Sequence, residues 1–141
     1  ELDDLLAVAV PARAREVAGI LQDPRTMVLE ESHMGVHWAY SKVLCDQYFL
    51  DLYEAEIRKH VIIPDLFLRL DVPVAVSVER QVARATRDVE VDGSLVERMF
   101  ARLAEWHEGM AHGRLRTVDA NRSPDMVIRE IIDVFEVGYR P

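Results

Sequence analysis

The sequence predicts an α/β domain in three layers, a parallel sheet flanked by helices. Short apolar runs bounded by turn residues occur near 26–30, 65–71 and 115–119, long stretches of helical periodicity separate them, and no hairpin dipeptide joins any two. Strands separated by helices build βαβ units, and therefore parallel sheets. With 141 residues, 50% of them apolar and 30% charged, the chain suffices for one compact core, so a single domain over 1–141 is expected.

Leu5, Val8, Val17, Ile20 and Leu21 fall at helical spacing across residues 2–22, with Pro11 placed to bend or split that helix and Asp23-Pro24 to end it. Thr26-Met27-Val28-Leu29-Glu30 lacks polar alternation, the pattern of a strand buried on both faces. Gly35 to His60 returns to helical spacing, is rich in aromatics and reads as two helices, with Cys45 inside as a small buried hydrophobe. Leu66 to Val72 is the second strand candidate. Pro73 then starts a helix over 74–85, since a first-turn residue needs no N–H partner, and Asp71 is placed to cap it.

The polar stretch from Thr86 to Ser94, which includes Gly93, reads as a loop. A helix from Leu95 to Ala111 follows, with Leu95, Met99, Leu103 and Trp106 as its buried stripe. Arg114 to Asp119 is the third strand candidate. Ser123-Pro124-Asp125 supplies a capping hydroxyl, a first-turn proline and an acid at the positive dipole end, starting a last helix whose apolar surface includes Ile128, Ile131 and Phe135.

A net charge of -8, from 17 basic against 25 acidic residues, argues against a nucleic-acid polymer as partner, because that binding needs a basic surface to displace counterions. The longest apolar stretches, such as Leu5 to Ala12, fall short of the ~20 residues that span a bilayer, so no membrane partner is expected. One cysteine forms no internal disulfide, and the opening Glu1-Leu2-Asp3-Asp4 lacks the layout of a signal peptide, so the cytoplasm is the expected location. His33 and His37 lie four apart but lack a third metal ligand. His107 and His112 lie five apart, about 500° around a helix rather than the 400° of a zinc-protease pair.

In parallel sheets ligands bind beyond the carboxyl ends of the strands. Those ends are Glu30-Glu31-Ser32, Asp71-Val72-Pro73 and Asp119-Ala120-Asn121.

Pro64-Asp65-Leu66-Phe67-Leu68-Arg69-Leu70-Asp71-Val72-Pro73, followed by a helix with Glu79-Arg80, resembles the fourth-strand region of thymidylate kinases and deoxynucleoside kinases. Val118-Asp119-Ala120-Asn121-Arg122-Ser123-Pro124 resembles the last strand, adenine loop and closing helix of the same families, and the likeness covers most of residues 15–137. The resemblance implies the carboxyl-terminal part of a P-loop kinase fold that uses ATP and Mg²⁺ to phosphorylate a nucleoside or nucleoside monophosphate; a homodimer is the candidate assembly, independently of that likeness. Such catalysis is positioning plus electrostatic stabilisation.

By the same resemblance, Arg84 and Arg87 belong to an arginine-bearing lid over 84–94 and neutralise transferring charge. Glu30 sits near metal and phosphates, and Ser32 caps the following helix. Glu31 stands where the family has an arginine that contacts the acceptor, which inverts the local field against phosphorylated acceptors. Trp38 and Tyr40 are placed either to stack on a base or to pack in the core. Asp119, Ala120, Asn121 and Arg122 border the adenine, with Arg122 placed to stack on the ring.

The chain contains no Gly-x-x-x-x-Gly-Lys-Ser/Thr. In the family that loop follows a central strand lying between the counterparts of 26–30 and 65–72, so the natural protein is expected to carry strand, P-loop and acceptor-binding acid in an N-terminal portion. Two other functions stay open: a degenerate kinase fold kept as a binding or dimerisation module, and a kinase for a non-nucleoside small molecule.

Overall fold

Residues 2–31, 33–84, 91–111 and 113–138 are described by the computed structural model. In chain order they form α1 (Leu2–Ile20), α2 (Gly35–Leu44), α3 (Gln47–Leu52), a π-helical turn (Tyr53–Ile57) running into a 3₁₀ turn (Arg58–His60), β1 (Phe67–Asp71), α4 (Val74–Arg84), α5 (Gly93–Met110), β2 (Leu115–Asp119) and α6 (Pro124–Gly138). The chain is mostly helical with one two-stranded parallel sheet among the described residues, an α/β composition. Contacts divide it into two compact units, Glu1–Ile63 with Met99–Glu108, and Pro64–Arg98 with Gly109–Pro141.

In the first unit α1 runs unsplit past Pro11, which forgoes the one bond its missing N–H would have made to the carbonyl four residues back. The expected pair of helices forms between Gly35 and His60, and the break has a local cause. Cys45 adopts a left-handed conformation with φ 57°, its N–H returns to the Ser41 carbonyl, and the Asp46 carboxylate accepts from the Phe49 N–H at 3.1 Å to start α3. Cys45 is therefore exposed at a helix end, not buried as its apolar surroundings predict. Phe49, Tyr53 and Ile57, spaced four apart, form the buried centre, with Leu6 and Val10 of α1 and Trp38 of α2 packed against it.

The strand expected at 26–30 does not form: the segment is irregular, with Met27 64% and Leu29 75% exposed. An apolar run becomes a strand only when a neighbour completes its ladder, and among the described residues none lies beside it.

The second unit carries the sheet. β1 and β2 pair in parallel with Phe67 opposite Leu115, Arg69 opposite Thr117 and Asp71 opposite Asp119, so these six residues share one face. Each strand feeds a helix through a proline, Pro73 before α4 and Pro124 in α6. Asp71 makes no capping bond to α4 among the described residues. Its carbonyl instead accepts from the Ala120 N–H at 2.7 Å, adding a last rung to the ladder.

α5 begins two residues earlier than its apolar stripe predicts, because Asp92 caps it. The carboxylate accepts from the amides of Ser94 at 2.8 Å and Leu95 at 3.3 Å. Hydrogen bonds from Ser94, then from the Leu95 amide, hold the Asp92 carboxyl below its ordinary value. Since the folded state prefers the ionised form, this stabilisation is complete above the unfolded carboxyl pKa and is lost as pH falls through the lower folded one. Asp92→Ala is expected to lower Tm at neutral pH and to lose less on acidification than the parent. Melting curves taken from neutral pH down through the carboxylate range check both.

Candidate functional site

At the carboxyl edge of the β1–β2 sheet the second unit forms an open cleft of about 520 Å³, lined by Asp71, Val72, Pro73, Thr117, Asp119, Asn121 and Glu130. The parallel register produces this convergence, because it sets Asp71 beside Asp119 on one face at the point where both chains leave the sheet. The loop after β2 is tightly wired. The Asp119 carboxylate accepts from the Asn121 N–H at 2.9 Å, an Asx turn, and lies 3.3 Å from Arg122 Nε. Arg122 also donates to the Asp119 carbonyl at 3.2 Å, and its guanidinium pairs with Glu130 of α6. From α4, Arg80 Nη1 donates to the Ala120 carbonyl at 3.0 Å.

This wiring decides what the cleft offers a ligand. The Ala120 N–H is spent on Asp71 and the Asn121 N–H on Asp119, so neither is available to a base edge, while the Ala120 carbonyl keeps one lone pair beside Arg80. Arg122 is bound to two carboxylates, and stacking on a ring would require its release. The lining is acceptor-rich even so: the Asp71 carboxylate, the lone pairs that Asp119 and Glu130 keep beyond their bonds to Arg122 and the Asn121 N–H, the Thr117 hydroxyl and the Asn121 side-chain amide. Such a lining matches donating groups, such as sugar hydroxyls or an exocyclic amine, better than phosphate oxygens.

Arg84 is the last residue of α4 and is exposed. Arg87, Ser32, His112 and most of the expected lid over 84–94 lie outside the described residues.

In the first unit Glu30 and Glu31 are exposed in the irregular segment before α2. Arg13 of α1, held above its ordinary pKa chiefly by its 2.9 Å bond to Glu16, also feels a smaller attraction from Glu30. Trp38 takes the packing role, set against the buried cluster with Lys42 Nζ 5.2 Å over its ring, whereas Tyr40 is exposed. No group of three or more His, Cys, Asp or Glu side chains among the described residues is arranged to hold a metal ion.

Arg80, Thr117 and Glu130 are the cleft and loop residues that the sequence argument left without a role. A signal for Glu130 does exist: it interrupts the half-buried stripe of Val127, Ile131 and Val134 on α6, where an acid needs a partner. Compared with known proteins, the chain matches no family model, no curated protein and no solved structure.

Proposed function

We propose that this chain belongs to an ATP-dependent phosphotransferase of the nucleoside and nucleoside-monophosphate kinase type, acting with Mg²⁺ in the cytoplasm on a nucleoside-like acceptor. One observation carries the reading: the parallel pairing of 67–71 with 115–119, which delivers Asp71 and Asp119-Ala120-Asn121-Arg122 to a single carboxyl edge. In this proposal the 119–122 loop borders the base or sugar of ATP, with acceptor groups meeting its donors. Arg84 and Arg87 close over the phosphates, Glu30 supports the metal, and Glu31 disfavours anionic acceptors. The sequence contains no Gly-x-x-x-x-Gly-Lys-Ser/Thr, so in this proposal the groups of these residues assigned to the phosphates are the guanidiniums of Arg84 and Arg87.

A second reading, a binding or dimerisation module on the same fold, is favoured by the loop's internal wiring, which leaves Ala120 N–H and Arg122 committed to the protein itself. Incubating the natural full-length protein with ATP, Mg²⁺ and a panel of nucleosides, monophosphates and non-nucleoside alcohols separates the two. Phosphorylated product supports the kinase and names its acceptor. Absence of both product and ATP binding by calorimetry leaves the binding module.

A further inference from the structure

Asp71 and Asp119 face each other across the β1–β2 ladder, so two carboxylates stand side by side at its carboxyl edge. Like charges directly opposite in a sheet repel. The protein relieves this only in part. Arg122 divides its one positive charge between Asp119 and Glu130, and the Asp71 side chain takes no hydrogen bond or ion pair among the described residues.

The rung below carries the opposite need. Arg69 lies directly opposite Thr117, on the same face as Asp71 and Asp119. It is half-buried, its Nε is buried with no hydrogen-bond partner, and its guanidinium pairs with neither Asp71 nor Asp119. A desolvated charged donor left unmade costs more than an ordinary hydrogen bond contributes, so an arginine in this state calls for an acceptor from outside the chain. Asp71, Thr117 and Asp119 of this face line the open cleft of about 520 Å³, within the range of small-molecule sites, and Val72 and Pro73 add apolar wall.

These groups discriminate between ligand classes. A phosphate or carboxylate meets the repulsion of three carboxylates. An ammonium ion suits the carboxylates but has no acceptor, so it adds a second cation beside Arg69 and leaves it unpaired. A hydroxyl donates and accepts, which satisfies a carboxylate and a guanidinium together, and two adjacent hydroxyls engage both oxygens of one carboxylate. The Thr117 hydroxyl and the Asn121 amide have the same two-way capacity.

We propose that this cleft binds a cis-diol, as carried by a furanose ring, whose hydroxyls donate to Asp71 and Asp119 and accept from Arg69 while its carbon face meets Val72 and Pro73. The diol site stands on the cleft's own groups. That the diol is the ribose of ATP, and not a free sugar, rests on the phosphotransferase reading.

The backbone amides of Asp71, Thr117, Asp119 and Asn121 in the natural full-length protein report occupancy of the cleft by NMR. Methyl β-D-ribofuranoside is expected to shift them saturably, and its 2-deoxy analogue to bind on the order of tenfold more weakly, the scale of one hydrogen bond to a charged group. Asp71→Ala removes the free carboxylate but keeps the backbone bond from Ala120, and Arg69→Met keeps an aliphatic stem without the donors. Each is expected to weaken the diol on the order of tenfold.

Equal affinity for the two sugars, or no response at these amides, overturns the diol. Spermidine or inorganic phosphate binding there in preference to the sugar also overturns it, and makes the cleft a cation or an anion site. Parental sugar binding in Asp71→Ala, whose exposed side chain is dispensable for folding, overturns the assigned contacts even where Arg69→Met fails to fold. ATP and 2′-deoxyATP separate the sources. A matching preference for ATP at the same amides identifies the diol as the nucleotide's ribose. ATP that leaves them unmoved while the ribofuranoside binds overturns the ribose assignment, and with it the nucleotide reading of this cleft, and leaves the diol site standing.

Discussion

Trp106→Ala is expected to destabilise the protein by about 3–5 kcal/mol, the range for truncating a large buried aromatic. The indole is 3% exposed, faces the rings of His33 and His107 at 5.1 and 5.6 Å, and closes over Gly35. Removing it opens a cavity and also strips the 1%-exposed Tyr53 of the donor that satisfies its hydroxyl. Leaving such a group unpaired costs about 1–3 kcal/mol, which is the whole loss expected for Trp106→Phe, where the ring is largely kept. Burial pushes the Tyr53 phenol above its ordinary value, with the Trp106 bond opposing the shift. The folded state therefore holds that proton more tightly, and stability is complete below the unfolded tyrosine pKa and declines as pH rises through it. Urea denaturation of Trp106→Ala, Trp106→Phe and the parent at neutral pH, repeated at alkaline pH, measures these effects. A loss under 1 kcal/mol for the alanine variant would mean that the ring is not the centre of this packing.

Most elements were legible because their signals are local. Pro73 and Pro124 mark helix entry wherever the chain goes next, and the apolar runs at 67–71 and 115–119 find each other in parallel as the intervening helices require. Residues 26–30 show where that logic stops. Their composition is as strand-like as that of β1, but a strand is a property of two segments, and composition does not report whether a neighbour is there. The candidate site divides along the same line. The convergence of Asp71 with Asp119-Ala120-Asn121-Arg122 follows from parallel topology and was readable. The bonds Arg80 to Ala120 and Arg122 to Glu130 were not, because they join residues 40 and 8 positions apart that no periodicity links. His33, Tyr53 and Trp106 were each visible as a histidine of a pair, a member of an aromatic-rich helix and a buried stripe residue. Only packing brings the three together.

Arg84→Ala is expected to lower kcat for phosphoryl transfer by on the order of 10³, the scale of an arginine that neutralises transferring charge, with little change in KM for ATP. The structural ground is helix geometry. Arg80 and Arg84 are four apart on α4 and so share a face, and Arg80 is fixed on that face by its 3.0 Å bond to the Ala120 carbonyl of the proposed base loop. Arg84 therefore follows one turn, about 5–6 Å, farther along, on the side from which the loop is held. It is exposed at the helix end, so truncating it should leave stability within about 0.5 kcal/mol, which separates a catalytic loss from an unfolding one. Arg84→Lys keeps the charge without the planar fork and should recover only part of the rate. Arg80→Ala is the contrasting variant, since loosening the base loop should raise KM for ATP more than it lowers kcat. Single-turnover rates at saturating ATP and acceptor, alongside melting temperatures, resolve these outcomes. A parental rate in Arg84→Ala would return this arginine to a plain role at the negative end of the α4 dipole.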